Sequence, residues 1–200
     1  MTSPAGLAPL PRRFYRRSAE EVARDLLGAI LVSTIDGEYT AGRIVETEAY
    51  VGPHDPASHA AERTGRTARN ESMFGPPGIA YVYRIYGIHW CLNVVTGEPD
   101  YPAAALIRAV EPVEGVEVMR RRRGEKRIDR ELTSGPGRLA QAFGITGQED
   151  GHPLDRPPLM IVQGEPVSDD AVAVGPRIGI TRAVEWPLRY FVRGNSFVSR

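Results

Sequence analysis

In residues 44–50, Ile-Val-Glu-Thr-Glu-Ala-Tyr, three polar residues lie between apolar pairs, and two carboxylates and a tyrosine occupy every second position, which is the spacing of a strand. Side chains of an extended strand point alternately to its two faces, so this pattern predicts a β-strand. One face would carry Ile44, Glu46, Glu48 and Tyr50, and the other Val45, Thr47 and Ala49. Two carboxylates on one face raise the pKa of at least one of them, which prepares a general base near neutral pH. From these residues alone, a strand face with its acids in water is an equally good interpretation.

The hydrophobic pattern before this strand predicts a helix and a hairpin. Ser18 and Glu21 have the spacing of a capping box, and the apolar residues that follow favour a helix ending at Gly28. Residues 29–34 predict a strand, and Asp36-Gly37 predicts a turn back into the acidic strand. The two strands are therefore expected to pair antiparallel.

A polar loop and an aromatic hairpin are expected next. Residues 52–78 are punctuated by Gly and Pro and too irregular to be core, and long loops in compact domains are more often functional than idle. Residues 79–95 are dense in aromatic and β-branched residues, which predicts two strands. Their reversal is expected at Tyr86-Gly87, because glycine tolerates positive φ. A tyrosine would then lie at a hairpin tip.

A further strand and a basic helix follow. Residues 103–110 predict a strand with a single charge, Arg108, which needs a partner because an unpaired buried arginine is costly. Residues 114–123 predict a helix that ends in four arginines. Basic residues are favourable at a helix C-terminus, so this end is interpreted either as a solvated end or as a surface facing phosphates.

The last part of the chain predicts one helix and two strands. Gly135-Pro136-Gly137 precedes a short helix at 138–143, whose N-terminal amides could receive a phosphate. Closing strands are expected at 177–181 and 188–192.

The composition is that of one globular domain. The 200 residues are 42% hydrophobic and 25% charged, which suffices for one sizeable core. We expect a loose lead-in over residues 1–13 and one domain over residues 14–200. No apolar run approaches the roughly 18 residues of a membrane span and no signal peptide is recognisable, so a cytosolic protein is expected. The single cysteine, Cys91, excludes an internal disulfide and a Cys-rich metal site.

The charges constrain partners and chemistry. A formal net charge of zero argues against a protein that coats nucleic acid by electrostatic attraction alone. Lys126 is the only lysine, so nearly every positive charge is an arginine, whose planar group suits phosphate contacts. Biased codon usage is an alternative explanation. Schiff-base catalysis by a side chain would depend on Lys126, which lies in a charged run.

A series of short motifs occurs in one order from about Phe14 to the C-terminus. They are Leu-Leu-Gly at 26–28, Glu-Thr-Glu-Ala-Tyr at 46–50, Arg-Asn at 69–70, Met-Phe-Gly at 73–75, Tyr-Val-Tyr at 81–83, Tyr-Gly at 86–87, Leu-Ile-Arg-Ala at 106–109, Glu-Pro at 111–112, Ser-Gly-Pro at 134–136 and Pro-Arg-Ile-Gly at 176–179. In this order they resemble the alkyladenine (3-methyladenine) DNA glycosylase family, in its bacterial form. The order is far more specific than any one motif.

The resemblance implies a fold and a reaction. The fold would be α+β, a single mixed domain with a curved antiparallel β-sheet, surrounding helices and a protruding β-hairpin. The enzyme would flip alkylated or deaminated purines out of double-stranded DNA and hydrolyse the N-glycosidic bond with an activated water, which starts base excision repair. A monofunctional monomer without cofactor or metal is expected. A cationic alkylated base leaves readily, whereas neutral hypoxanthine needs an acid that the sequence does not identify.

The resemblance also implies catalytic residues and a wedge. Glu48 matches the general base that activates water, with Glu46 as a weaker candidate, and its negative charge would favour an oxocarbenium-like sugar. Arg108 matches a catalytic arginine beside Glu48. Tyr86 matches the intercalating tyrosine that fills the gap left by the flipped nucleotide.

The walls of the base pocket are implied in the same way. Tyr50, His59 and Tyr83 match pocket residues whose flat rings stack on the extruded base, and His59 could also bind a base edge. Asn93 matches a residue that rejects the exocyclic amino group of guanine by a clash.

Two other functions stay open at the level of sequence. A non-enzymatic binder of damaged DNA would keep the wedge and pocket without turnover, although the presence of Glu48 disfavours it. A nucleoside or formyl-transfer enzyme is the other, because the family's sheet resembles a formyltransferase C-terminal domain and fold alone does not fix function. Release of free base from a duplex with one lesion would distinguish a glycosylase from a non-enzymatic binder and from a transfer enzyme.

Overall fold

The structure is a computed structural model that describes residues 6–61 and 64–199. Within these residues, one curved antiparallel sheet of nine strands is surrounded by five helices. The strands are β1 Ile30–Ser33, β2 Thr40–Tyr50, β3 Ala80–Ile85, β4 His89–Thr96, β5 Ala103–Glu114, β6 Asp155–Arg156, β7 Leu159–Val162, β8 Val172–Gly175 and β9 Arg189–Val192. The helices are α1 Arg12–Tyr15, α2 Ala19–Asp25, α3 Val116–Arg123, α4 Arg130–Thr133 and α5 Pro136–Phe143. The predicted α+β fold class is confirmed.

The long strand β2 lies at the centre of the sheet, whose order is β3-β4-β5-β2-β1-β7-β6. One edge of β2 pairs along its length with β5. On the other edge, β1 pairs with residues 40–43 and β9 with residues 46–48. The predicted hairpin of β1 and β2 is confirmed, and the acidic half of β2 is enclosed between two neighbouring strands.

The predicted capped helix is α2, and it packs on β2. The N–H of Glu21 donates to the Ser18 hydroxyl, and the Glu21 carboxylate accepts from the Ser18 N–H at 3.1 Å. Thr47 on β2 donates from its hydroxyl to the carbonyl of Ala23 on α2 at 2.6 Å. The core lies on this helix-covered face of the sheet and includes Val22, Leu26, Leu31, Ala49, Leu92, Ile107, Leu139 and Phe143. Glu46 and Glu48 are consequently on the opposite face.

One detail of the predicted strand is wrong. Ile44 does not share the face of the two acids but is fully buried in the main core with Ala49. The register between β2 and β5 shifts between Ile44 and Glu46, which leaves Val45 as an extra residue. Such a β-bulge advances the strand by one position and exchanges its faces. The alternation predicted for Glu46, Glu48 and Tyr50 applies only after the bulge.

Strands β3 and β4 form the predicted protruding hairpin. Its turn consists of Tyr86 and Gly87, with φ of 53° and 70°. Two consecutive residues in the left-handed region are typical of the tightest hairpin turns, and a tyrosine there is uncommon. The turn places the Tyr86 side chain at the tip, where 81% of it is exposed.

The four arginines at the end of α3 are engaged within the protein. Their partners lie in segments on both sides of the helix. Arg120 binds Asp129, Arg121 binds Glu38, Arg122 binds Glu38 and the carbonyl of Ile35, and Arg123 binds Gln141. Their charges therefore hold α3 against its neighbours, which neither of the two interpretations from sequence described.

The sequence predicted the two ends of the chain less well. Residues 177–181 form an irregular segment and not a strand, while β9 confirms the strand expected at 188–192. Strands β6, β7 and β8 were not predicted. Within the lead-in expected over residues 1–13, the N–H of Leu10 donates to Ile161 at 2.9 Å. Residues 1–5 lie outside the described part.

Every helix in the described residues is too short or too polar to span a bilayer.

Candidate active site

A cavity of about 360 Å³ opens beside the end of β2 and brings together the residues that the sequence singled out. Its walls come from β2, the loop after it, the β3–β4 hairpin, β5 and residues 178–182. Lining residues include Tyr50, His59, Tyr83, Tyr86, Asn93 and Arg108. Glu48 is not part of this lining; it is fully buried directly behind Arg108, Tyr50 and Ile178.

Three donors from different elements hold the carboxylate of Glu48. Its Oε1 accepts from the N–H of Ile178 at 2.7 Å and lies 3.1 Å from Arg108 Nη1, and its Oε2 accepts from the Tyr50 hydroxyl at 3.1 Å. Burial raises the pKa of Glu48, while Arg108, the Ile178 N–H and the Tyr50 hydroxyl act against that rise. A carboxylate with a raised pKa beside a fixed cation is suited to accept a proton near neutral pH.

The partner that Arg108 required is a pair of carboxylates. Its Nε donates to Glu46 Oε1 at 3.1 Å, and its Nη1 lies at the same distance from Glu48 Oε1. Burial acts to lower the pKa of Arg108, but the charges of Glu48 and Glu46 outweigh it, so the pKa is raised. Arg108 therefore stays charged, and it links the two acids while also lining the cavity.

Glu46 accepts four hydrogen bonds. Its Oε1 accepts from Arg108 Nε and Arg189 Nη1, both at 3.1 Å, and from the Ser199 hydroxyl at 2.9 Å. Its Oε2 accepts from the N–H of Ser199 at 2.7 Å. Glu46 thus anchors β9 and residue 199 to the site.

Three aromatic rings pack together on one side of the cavity. The rings of His59 and Tyr83 meet edge to face at 4.3 Å between centroids, and Tyr81 lies 5.4 Å from Tyr83. His59 Nδ1 is 3.0 Å from the Tyr81 hydroxyl. Burial lowers the pKa of His59 and raises that of Tyr83. Both groups are therefore neutral at neutral pH, and this aromatic wall is uncharged.

Asn93 and Tyr86 occupy contrasting positions at the cavity. The side chain of Asn93 is buried, and its Nδ2 donates to the carbonyl of Tyr81 at 3.0 Å, which fixes its orientation. Tyr86 lines the cavity entrance from the exposed hairpin tip, and Ile88, two residues further, is 66% exposed. One amide is thus held rigidly inside, while two large apolar side chains point outward at the tip.

Sequence reasoning missed a buried ion pair that joins two walls of the site. Arg177 Nη2 donates to Asp55 Oδ1 at 2.9 Å, with both side chains fully buried. The Arg177 guanidinium also lies 4.7 Å from the centre of the Tyr50 ring. Arg177 is part of the Pro-Arg-Ile-Gly motif and Asp55 lies shortly before His59, but the two residues are 122 positions apart, so no spacing rule could pair them.

A cluster of metal ligands is not found in the part of the chain that the structure describes. There, no three His, Cys, Asp or Glu side chains are grouped closely enough to hold a metal ion.

Comparison with known proteins matches the chain to one family model and to relatives that share one name. The family model described as methylpurine-DNA glycosylase matches residues 13–196. A protein of Rhodopseudomonas palustris (strain HaA2) named as a 3-methyladenine DNA glycosylase is 52% identical, over 96% of this chain and 90% of the relative. Proteins named in the same way from Myxococcus xanthus and Carboxydothermus hydrogenoformans are 50% and 47% identical, each over 96% of this chain and over 93% and 98% of the relative, respectively.

Proposed function

The chain belongs to the methylpurine-DNA glycosylase family and is a DNA glycosylase of DNA repair, and from this premise we propose that it flips alkylated purines out of duplex DNA and hydrolyses their N-glycosidic bond. Water would be the nucleophile and Glu48 the general base. The observation that carries the proposal is a buried carboxylate directly behind a cavity lined with flat rings. Family membership favours this reading over a binder without turnover and over a transfer enzyme.

The hydrogen bonding supports Glu48 over Glu46 as the base. The three groups that hold Glu48 belong to Tyr50, Arg108 and Ile178, which all line the cavity, and Glu48 Oε2 accepts one hydrogen bond and can take a water molecule. Three of the four hydrogen bonds to Glu46 come from Arg189 and Ser199, which are not among the lining residues. In the proposed step, the oxygen of that water bonds to the sugar carbon, the N-glycosidic bond breaks, and its electron pair leaves with the base. The water proton passes to Glu48.

Charge stabilisation is the second part of the proposed reaction. The sugar carries developing positive charge in the transition state, which a nearby carboxylate stabilises. Arg108 keeps Glu48 oriented and ionised and lies on the cavity wall, where it would also position the attacking water. Because its pKa is raised, Arg108 is not a proton donor in this scheme.

The aromatic wall supports a preference for alkylated purines. Alkylation at a ring nitrogen gives the base a positive charge, which is attracted by the faces of aromatic rings such as those of Tyr50 and Tyr83. Neutral hypoxanthine instead needs a proton to leave. Burial raises the pKa of both tyrosines and lowers that of His59, so none of these three groups is an effective acid at neutral pH. We therefore propose that cationic lesions are released much faster than hypoxanthine.

Asn93 would discriminate against guanine, and Tyr86 would support base flipping. Because Asn93 is fixed by its bond to Tyr81, it cannot move away from the 2-amino group of guanine. A clash with this group would exclude guanine. The exposed Tyr86 would fill the gap in the base stack. We expect a monomer that acts at the nucleoid in the bacterial cytoplasm.

A duplex of A·T pairs, methylated so that it carries 3-methyladenine and incubated with the protein, tests the proposal. Released base and abasic strand would be quantified by chromatography, with Glu48→Gln as the matched variant and a hypoxanthine duplex in parallel. Release by the wild-type chain but not by Glu48→Gln supports the proposal. Tight binding without release would indicate the non-enzymatic binder, and equal release by both proteins would remove Glu48 from its role.

A further inference from the structure

The ion pair of Asp55 and Arg177 has no part in the reaction described above, yet the pair lies next to the proposed active site. Arg177 Nη2 donates to Asp55 Oδ1 at 2.9 Å, and Nη1 donates to Asp55 Oδ2 and to the carbonyl of Ala49 at 3.0 Å. Both side chains are fully buried. Burying an ion pair costs solvation energy that its attraction often fails to offset, so stability alone is a weak reason for this arrangement.

The pair connects three segments that form the site. Arg177 contacts the end of β2 twice, at the carbonyl of Ala49 and at the ring of Tyr50. Asp55 organises the loop that leads to His59, since its Oδ1 accepts from the N–H of Ala57 and its carbonyl from the N–H of Ser58, both at 3.0 Å. The two ions therefore fix the relative position of β2, this loop and residues 176–178.

The residue after Arg177 touches Glu48 directly. The N–H of Ile178 donates to Glu48 Oε1 at 2.7 Å, and this is the shortest of the contacts that hold the carboxylate. Residues 177–181 have no strand partner, so β-pairing does not fix this N–H. The carbonyl of Ile178 accepts a long hydrogen bond from Arg108 Nη1 at 3.5 Å, and the shorter bonds next to this N–H are those of the Arg177 side chain.

We propose that Arg177, with Asp55 as its counterion, is a positioning residue for hydrolysis: it holds the N–H of Ile178 against Glu48 and the ring of Tyr50 against the cavity. The proposal rests on the proposed function, because Arg177 acts through Glu48 and Tyr50. A planar guanidinium suits this task, since it can bind two carboxylate oxygens and a carbonyl while it stacks on a ring. The compact ammonium of lysine cannot make all of these contacts together.

The proposal predicts an effect on proton affinity as well as on rate. The Ile178 N–H is one of the groups that oppose the burial-driven rise in the pKa of Glu48. Its displacement should raise that pKa further, and because the base must be ionised, the acid limb of the rate profile should move to higher pH. The other ionisable or charged groups facing Glu48 are Arg108 from β5, Tyr50 and Glu46 from β2, Cys91 from β4 and, through Glu46, Arg189 from β9.

The test compares Arg177→Lys and Asp55→Asn with the wild-type chain and with Ile161→Ala. Ile161 is fully buried on β7, away from the cavity, so its truncation destabilises the fold without touching the site. Single-turnover release of 3-methyladenine would be followed across pH at saturating enzyme, and lesion affinity and melting temperature would be measured for each protein. Saturation separates the hydrolytic step from binding.

We expect both site variants to lose about 10-fold or more of the single-turnover rate at neutral pH, as misplacement of a catalytic group does. Their acid limb should move to higher pH, while Ile161→Ala should melt earlier with its acid limb unchanged. Acid limbs at the wild-type pH in both variants, whatever their melting temperatures, would overturn the proposal. If Asp55→Asn does not fold because it leaves Arg177 unpaired, Arg177→Lys alone decides. Absence of base release by the wild-type chain would instead refute the proposed function.

Discussion

Glu46 and Glu48 bind the same guanidinium, that of Arg108, from positions two residues apart on β2. Glu46 is additionally bound by Arg189 and twice by Ser199, neither of which lines the cavity. Glu48 is bound by a tyrosine hydroxyl and a backbone N–H beside the cavity. The same residue type on the same strand face thus serves as a structural anchor in one position and as a candidate base in the other.

Glu48→Gln should therefore lower base release by about 100-fold or more, since general-base catalysis contributes about that much. The amide keeps the shape of the side chain but cannot take a proton from water. Lesion affinity, measured by electrophoretic mobility shift, should stay within a few-fold of the wild-type value. Glu46→Gln is the matched control, and its main effect should be a lower melting temperature because it weakens the contacts to Arg108 and Arg189. A variant at Glu48 with near-normal turnover would move the role of base elsewhere.

The rate of release should fall as the pH drops through the pKa of Glu48. Burial raises this pKa above its ordinary value of 4.5, and the base must be ionised to accept a proton. The acid limb of the single-turnover profile should then lie above pH 4.5 for a cationic lesion. The limb should be absent from the residual activity of Glu48→Gln, and its persistence there would assign the titration to another group.

Tyr86→Ala should weaken capture of the flipped nucleotide. Unstacking a base costs a few kcal/mol, and without the ring the gap in the duplex would stay unfilled. We expect lesion affinity to fall about 10-fold or more, with little change in melting temperature because the side chain is 81% exposed. Ile88→Ala removes a similar exposed side chain from the same hairpin and should have a smaller effect. Equal losses in the two variants would indicate a general apolar contact and not a wedge.

The sequence predicted those features of the site that are determined by residues close together in the chain. The turn at Tyr86-Gly87 and the cap at Ser18 are set by neighbouring residues, so both were found. The need of Arg108 for a partner followed from its apolar surroundings. No residue type around Val45 marks the bulge in the sequence, so the faces before it were assigned wrongly.

The missed residues depend on contacts between distant segments. Asp55 and Arg177 meet only because β2 and residues 176–178 converge in the folded chain. The arginines of α3 were similarly ambiguous, because acidic and carbonyl partners far away in sequence determine whether such a run faces solvent. Composition and periodicity report which face is buried, but they do not report which charges meet there.

Asn93→Ala should relax the exclusion of purines that carry the 2-amino group of guanine. The Asn93 amide is held at the cavity wall by its bond to Tyr81, and truncation removes the group that would clash. One such steric contact is worth about 10-fold or more in discrimination. The ratio of single-turnover rates for hypoxanthine and guanine, each opposite cytosine, measures this change. A ratio equal to that of the wild-type chain would place the discrimination elsewhere in the cavity.

The product should be an intact abasic strand. Glycosylases that also cut the strand attack the sugar with an amine and form a Schiff base, which needs a lysine or an N-terminal amine close to the lesion. Lys126, the only lysine, lies in an exposed turn after α3 and is not among the residues that line the cavity. Met1, which carries the other candidate amine, lies outside the described residues, so the chemical test has to cover both.

Borohydride added during turnover traps a Schiff base as a covalent adduct between protein and DNA. We expect no such adduct with the wild-type chain, and strand cleavage only after alkali, because water activated by Glu48 would be the nucleophile. Lys126→Arg keeps the charge and should release base at the wild-type rate. A trapped adduct that disappears in Lys126→Arg together with activity would make the enzyme bifunctional and would remove the water-based mechanism. An adduct that persists in this variant would instead identify the N-terminal amine as the nucleophile.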